Sequence, residues 1–129
     1  MRRYKPGDEI QAEIEFDYAQ SITEVSMGFN PQQEIRRQSM PIQLHSGRLL
    51  LTANPQTGLS STTVTLEGEV DQVHKAGRYD LARITFKTAG GQDLTLRGED
   101  LDVIPEEERS LEVVPEDRTP PTLRGARLS

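Results

Sequence analysis

The sequence predicts an all-β chain folded as a β-sandwich, two antiparallel sheets of about seven short strands. Three observations carry this. Apolar and polar residues alternate with period two in most of the apolar runs. Turn signals recur at roughly ten-residue spacing. No segment shows an apolar stripe of helical period over ten or more residues.

The opening "DEIQAEIEFDY" sets Ile10, Ala12, Ile14, Phe16 and Tyr18 against Gln11, Glu13, Glu15 and Asp17. That is a strand with one buried and one wet face, started by the turn signal "KPG". In "SITEVSMGFNP", Val25, Met27 and Phe29 alternate until Asn30-Pro31 ends the run. "PIQLHSGRLLLT" gives Ile42 and Leu44, then a Ser46-Gly47 turn and Leu49 to Leu51, which reads as a hairpin. "STTVTLEGEV" supplies Val64, Leu66 and Val70, with Gly68 marking a bulge or a strand end. In "AGRYDLARITFKTAGGQDLTLRGEDLDVI", Tyr79 and Leu81 alternate on one parity and Ile84 and Phe86 on the other. The slip near Ala82-Arg83 predicts a β-bulge. Ala89-Gly90-Gly91 turns the chain back into Leu94 and Leu96, and a second slip at Gly98 precedes Leu101 and Val103. "PEEERSLEVVPED" resembles one helical turn or an acidic linker, with Pro105 at its start and acids after it.

The chain has 129 residues, room for one cored domain, and its 33% of hydrophobic residues is low enough to leave part of it thin or solvated. A net charge of −6 argues against nucleic acid as a partner. There is no cysteine, so neither a disulfide framework nor a thiolate metal site is available. No run of about 18 apolar residues predicts a membrane span, and "MRRYKPGDEI" lacks the apolar core of a signal peptide.

"AGRYDL" resembles the tyrosine corner of immunoglobulin-like folds, in which a buried Tyr hydroxyl bonds to nearby backbone. The structural roles fall to Gly77, Tyr79 and Leu81. The chain also resembles one repeat of the bacterial immunoglobulin-like modules strung along large surface and adhesin-type proteins. Three stretches carry the likeness across most of residues 6 to 128. "YKPGDEIQAEIEF" looks like the opening strand of such repeats, at Gly7, Asp8 and Ile10. "AGRYDLARITFKTAGGQDLTL" looks like their Gly-x-Tyr hairpin, with Gly77, Tyr79, Leu81 and Ile84 in place. "DRTPPTLRGARLS" looks like the junction that opens the next repeat. The chain departs from the family at Lys87-Thr88-Ala89-Gly90-Gly91, which lacks the family's acid and asparagine; a cation site or Asx-type turn is not carried over there.

The resemblance implies an immunoglobulin-like β-sandwich over residues 1–104, an acidic Pro-rich linker over 105–122, and a short strand at 123–129. It places the first strand of a repeat at the end of this chain. Three expectations follow: a piece cut between repeats, a tail that completes its own sandwich, or a tail that completes a neighbouring repeat or second copy by strand addition. Leu123, Ala126 and Leu128 are the interaction residues of that strand. Ordering it costs about 1–2 kcal/mol per residue in backbone entropy, so it needs a sheet edge to hold it.

Chemistry is sparse. His45 and His74 sit near turn signals; His45-Ser46 has the beginning of a triad, but without a nucleophile elbow a solvated turn histidine is the ordinary reading. The sequence predicts no enzyme. Glu99, Asp100, Asp102, Glu116 and Asp117 offer oxygen donors to calcium near the junction, against the commoner reading of a solvated acidic face. The function expected is a non-catalytic structural or adhesive module, a repeat or spacer of a bacterial surface protein. The competing expectation is a carbohydrate-binding β-sandwich, an accessory domain of a glycoside-active enzyme or polysaccharide exporter. A glycan partner asks for exposed aromatics, and the chain has no Trp, three Tyr and three Phe.

Overall fold

A computed structural model describes residues 1–53, 56, 59–115 and 120–128. Its strands are β1 (Arg2–Tyr4), β2 (Glu9–Tyr18), β3 (Ile22–Pro31), β4 (Ile42–His45), β5 (Ser60–Glu69), β6 (Gly77–Thr88), β7 (Asp93–Arg97) and β8 (Ser110–Val113). Among the described residues the only helical turns are 3₁₀, at Gly98–Leu101 and Glu106–Glu108. The chain is all-β. Among the described residues no helix is long and apolar enough to cross a membrane.

The strands form one sheet in the order β1-β8-β6-β3-β4-β5-β2, with β7 also on β6. Every pairing is antiparallel except β1 with β8. The two outermost strands, β1 and β2, are consecutive in the chain. Gly7 N–H reaches the Val70 carbonyl at 2.7 Å, and Val70 N–H returns to Asp8 O at 2.9 Å. The sheet therefore curls back on itself into a nearly closed, barrel-like form. Its weakest link is β4 to β5, joined by the single pair His45↔Glu67.

The alternation read from the sequence is what the sheet buries. Ile10, Val25, Met27, Ile42, Leu44, Leu66, Val70 and Ile84 share one core with Tyr79 and Leu111. Each fully buried aliphatic contributes about 1.5–3 kcal/mol. The phase slip in β6 is a bulge: Gly28 faces Arg83 and Phe29 faces Leu81, so Ala82 has no partner.

Four expectations differ. The Ser46-Gly47 turn does not open a hairpin. The chain runs on beside β3, with Leu49 N–H on Thr23 O at 2.7 Å and Leu51 bridged to Ile22. Gly68 is neither bulge nor strand end but pairs regularly with Ile10, and the absence of a side chain there admits the β4 backbone. The segment 105–122 is not wholly linker, because β8 lies within it and pairs with both β1 and β6. Residues 123–128 form no strand within the chain.

Tyr79 is fully buried at the start of β6. Its hydroxyl donates to the Lys75 carbonyl at 2.7 Å and meets the Ser39 hydroxyl. Because the phenol proton is spent on Lys75, Ser39 must donate to Tyr79, and Ser39 in turn accepts Lys75 N–H at 3.0 Å. A closed ring of three hydrogen bonds thus ties β6, the turn before it and the 32–41 loop. Gly77 fits the same corner: its φ is +145°, and a Cβ there would stand 2.7 Å from Ile35 Cδ1. Leu81, half-buried against the core, donates its N–H to Arg109 O at 2.7 Å. Replacing Ser39 with alanine breaks two links of the ring and lowers stability by about 1–2 kcal/mol. Chemical denaturation measures this, and the cost should not add to that of Tyr79→Phe, since both substitutions open one ring.

Candidate functional site

The two edges of the sheet are not alike. β1 is three residues long, followed by Pro6, and its arginines pair with Glu108 and Glu112 at 3.8 and 3.3 Å. Such an edge resists further strands. β2 is ten residues long, its register with β5 is unbroken from Glu9 to Tyr18, and among the described residues no strand pairs with its other side. Alternate N–H and C=O groups along that side face outward.

Beside this edge lies a cleft of about 840 Å³. Consecutive residues of β2 line it, Ile10 through Phe16, and it reaches inward to Met27, Phe29, Leu44 and Ile84 of the core, so it is a seam that opens along the strand's edge into the interior. Tyr4, Leu96, Leu101, Val103, Ile104 and Leu111 also line it. Ala12, Ile14 and Phe16 point to the core yet are only half-buried, because no strand shields them on this side. Phe16 holds the floor, its ring centroid 4.8 Å from Phe86 and 5.8 Å from Tyr18. Val103, on the same lining, is 89% exposed. The seam is a slot with apolar residues inside, charged ones such as Glu13, Glu15 and Glu108 along its lining, and unpaired backbone beside it, a chemistry that suits an extended peptide.

The outer rim is acidic. Glu9, Glu13, Glu15 and Asp17 stand in a row on the wet face of β2, with Glu67 and Glu69 on β5 beside them. Among the described residues no cation pairs with Glu13 or Glu15. Asp17 accepts from the Ser61 hydroxyl.

The remaining candidates do not converge. Asp102 pairs with Arg109 at 3.3 Å, while Asp100 accepts the Arg97 N–H at 3.4 Å in a local turn. Glu99 is exposed, and Glu116 and Asp117 lie outside the described residues. Among the described residues no group of three or more His, Asp or Glu could hold a metal ion. His74 uses both ring nitrogens on backbone: Nδ1 accepts Asp71 N–H at 3.0 Å, so Nε2 donates to Pro41 O at 3.2 Å. The Ser46 hydroxyl accepts Val25 N–H at 2.9 Å and donates to Gly47 O at 2.8 Å, turned to main chain rather than to His45. At the start of β6, the Arg78 guanidinium and the Ser110 hydroxyl both donate to Asp80, at 2.9 and 2.7 Å. Burial alone would raise the Asp80 carboxyl, but these donors outweigh it and hold it below the usual carboxylate range.

Residues 120–128 are exposed throughout; Leu123 is 85% exposed and Leu128 fully so. Sequence reasoning singled out this tail and the corner at Tyr79, but not the slot itself. The signal available for it was the unbroken period of β2, which has neither a Pro nor a bulge to blunt an edge. Compared with protein-family models, with curated proteins and with solved structures, the chain matches none.

Proposed function

We propose that the chain is an immunoglobulin-type β-sandwich acting as a non-catalytic structural or adhesive module, a repeat or spacer of a bacterial cell-surface protein. The observation that carries this reading is the corner at Tyr79: a buried Tyr hydroxyl bonded to backbone four residues upstream, two residues after a glycine that must be a glycine. The pairing order supports it. β2 with β5, β3 with β6, and β6 with β8 correspond to the B·E, C·F and F·G pairings of that fold. With β4 and β5 sharing one bridge, the curled sheet reads as two layers hinged there. In that order the place beside β2 belongs to strand A, and here it is open.

Surface location follows from the family resemblance and is tested on cells. An antibody against the chain should label intact cells of the source bacterium, and protease added outside should remove the signal. Labelling that appears only after permeabilisation contradicts the proposal. The carbohydrate-binding alternative finds less support, since none of the six aromatic residues, three Tyr and three Phe, is in an exposed position. A glycan array should stay silent.

A further inference from the structure

We infer that the open edge of β2 is a strand-acceptor site whose occupant is the 120–128 segment of a second copy of this chain. The inference needs only the open edge and holds wherever the protein works.

Length agrees. The seven residues 122–128 cover roughly 23 Å when extended, the length of the seven-residue stretch of β2, Ile10 through Phe16, that lines the slot. Pro120 and Pro121 donate no N–H, so 122–128 supplies the pairing and the prolines stiffen the approach. Apolar spacing agrees as well. Leu123 and Leu128 have opposite parity, but Gly125 sits between them, and a glycine bulge at that position would restore the phase. With the slip at Gly125, Leu123, Ala126 and Leu128 all face the slot, toward Ile14, Phe16, Leu96 and Ile104. Arg124 and Arg127 then face out.

Charge decides which strand can enter. Two β2 edges brought together would oppose their own glutamate rows, so direct edge-to-edge pairing is disfavoured. A strand with two outward arginines lies instead beside Glu13 and Glu15, which no described residue neutralises. In the isolated chain the same arginines and leucines touch nothing in the slot, and the tail is fully solvated. A second copy brings donor and acceptor together while its own pair remains free. The contact is therefore heterologous, extending into a series or closing reciprocally.

The test uses the full chain and a chain truncated after residue 119. Light scattering over a wide concentration range should show the full chain associating and the truncated chain monomeric, with unchanged circular dichroism. A synthetic 120–128 peptide should bind the truncated chain saturably. Glu13→Lys with Glu15→Lys should weaken that binding by roughly tenfold, and a peptide carrying Arg124→Glu and Arg127→Glu should restore it. A full chain that stays monomeric while the peptide binds the truncated form would overturn the second copy as occupant, because the tail would then fill its own slot. Association that survives truncation, or a peptide that does not bind, would overturn the acceptor site itself.

Discussion

Replacing Tyr79 with phenylalanine should lower the unfolding free energy by about 1–2 kcal/mol, since it removes the part-buried hydroxyl that bonds the Lys75 carbonyl and the Ser39 hydroxyl. The ring packing is retained; only the hydroxyl that closes the loop with Lys75 and Ser39 is lost. For a chain of this size the melting point should fall roughly 3–6 °C per kcal/mol. A pH signature separates this cause from general loosening. Burial holds the Tyr79 phenol above its ordinary value, and the bond to Ser39 only partly offsets that. With the folded pKa raised, the contribution is complete below the unfolded value of about 10 and is lost as pH rises through the folded one. The native chain should lose stability more steeply than Tyr79→Phe above that pH, with Tyr4, Tyr18 and the lysines common to both. Equal alkaline slopes in denaturant melts would mean the hydroxyl is not buried as described.

Gly68→Ala should cost about 2–3 kcal/mol, although a glycine-to-alanine change in a strand ordinarily helps by about 0.4–1 kcal/mol. Its backbone conformation is one any residue adopts. Space decides the sign: the new Cβ would lie 2.4 Å from both Gln43 O and Leu44 Cδ2. Leu44 is fully buried and Gln43 O belongs to a strand, so neither can yield without disturbing the one joint between β4 and β5. Gly90 is the control. A Cβ there meets only Thr88 Oγ1, at 3.8 Å, and Gly90→Ala should be neutral or slightly stabilising. Thermal melts of the two variants, side by side, measure the difference.

Local signals carried much of this architecture. The period-two run from Ile10 to Tyr18 became β2 intact, and the parity change near Ala82 became a bulge at Ala82, because both are set by neighbours in sequence. Tyr79 was legible for the same reason, since its acceptor lies four residues away. The misses are long-range. β1 is "RRY", with no alternation, and exists because it meets β8 from the far end of the chain. β8 offers only Leu111 and Val113 among acids, and reads as linker until β1 and β6 flank it. Gly68 suggested a bulge, but its reason is a backbone that approaches from β4. The slot beside β2 belongs to this class too: an unpaired edge is a property of the assembled sheet, and only the outcome, half-buried Ala12, Ile14 and Phe16, displays it.

Amide hydrogen exchange along residues 9–18 tests the vacant strand position most directly. In the truncated chain the alternate β2 amides that β5 leaves unpaired should exchange as freely as a solvated loop. In the concentrated full chain they should become protected, and the protection should fade on dilution. Identical exchange with and without the tail at every concentration would contradict the account, for it would mean that nothing the chain carries enters beside β2.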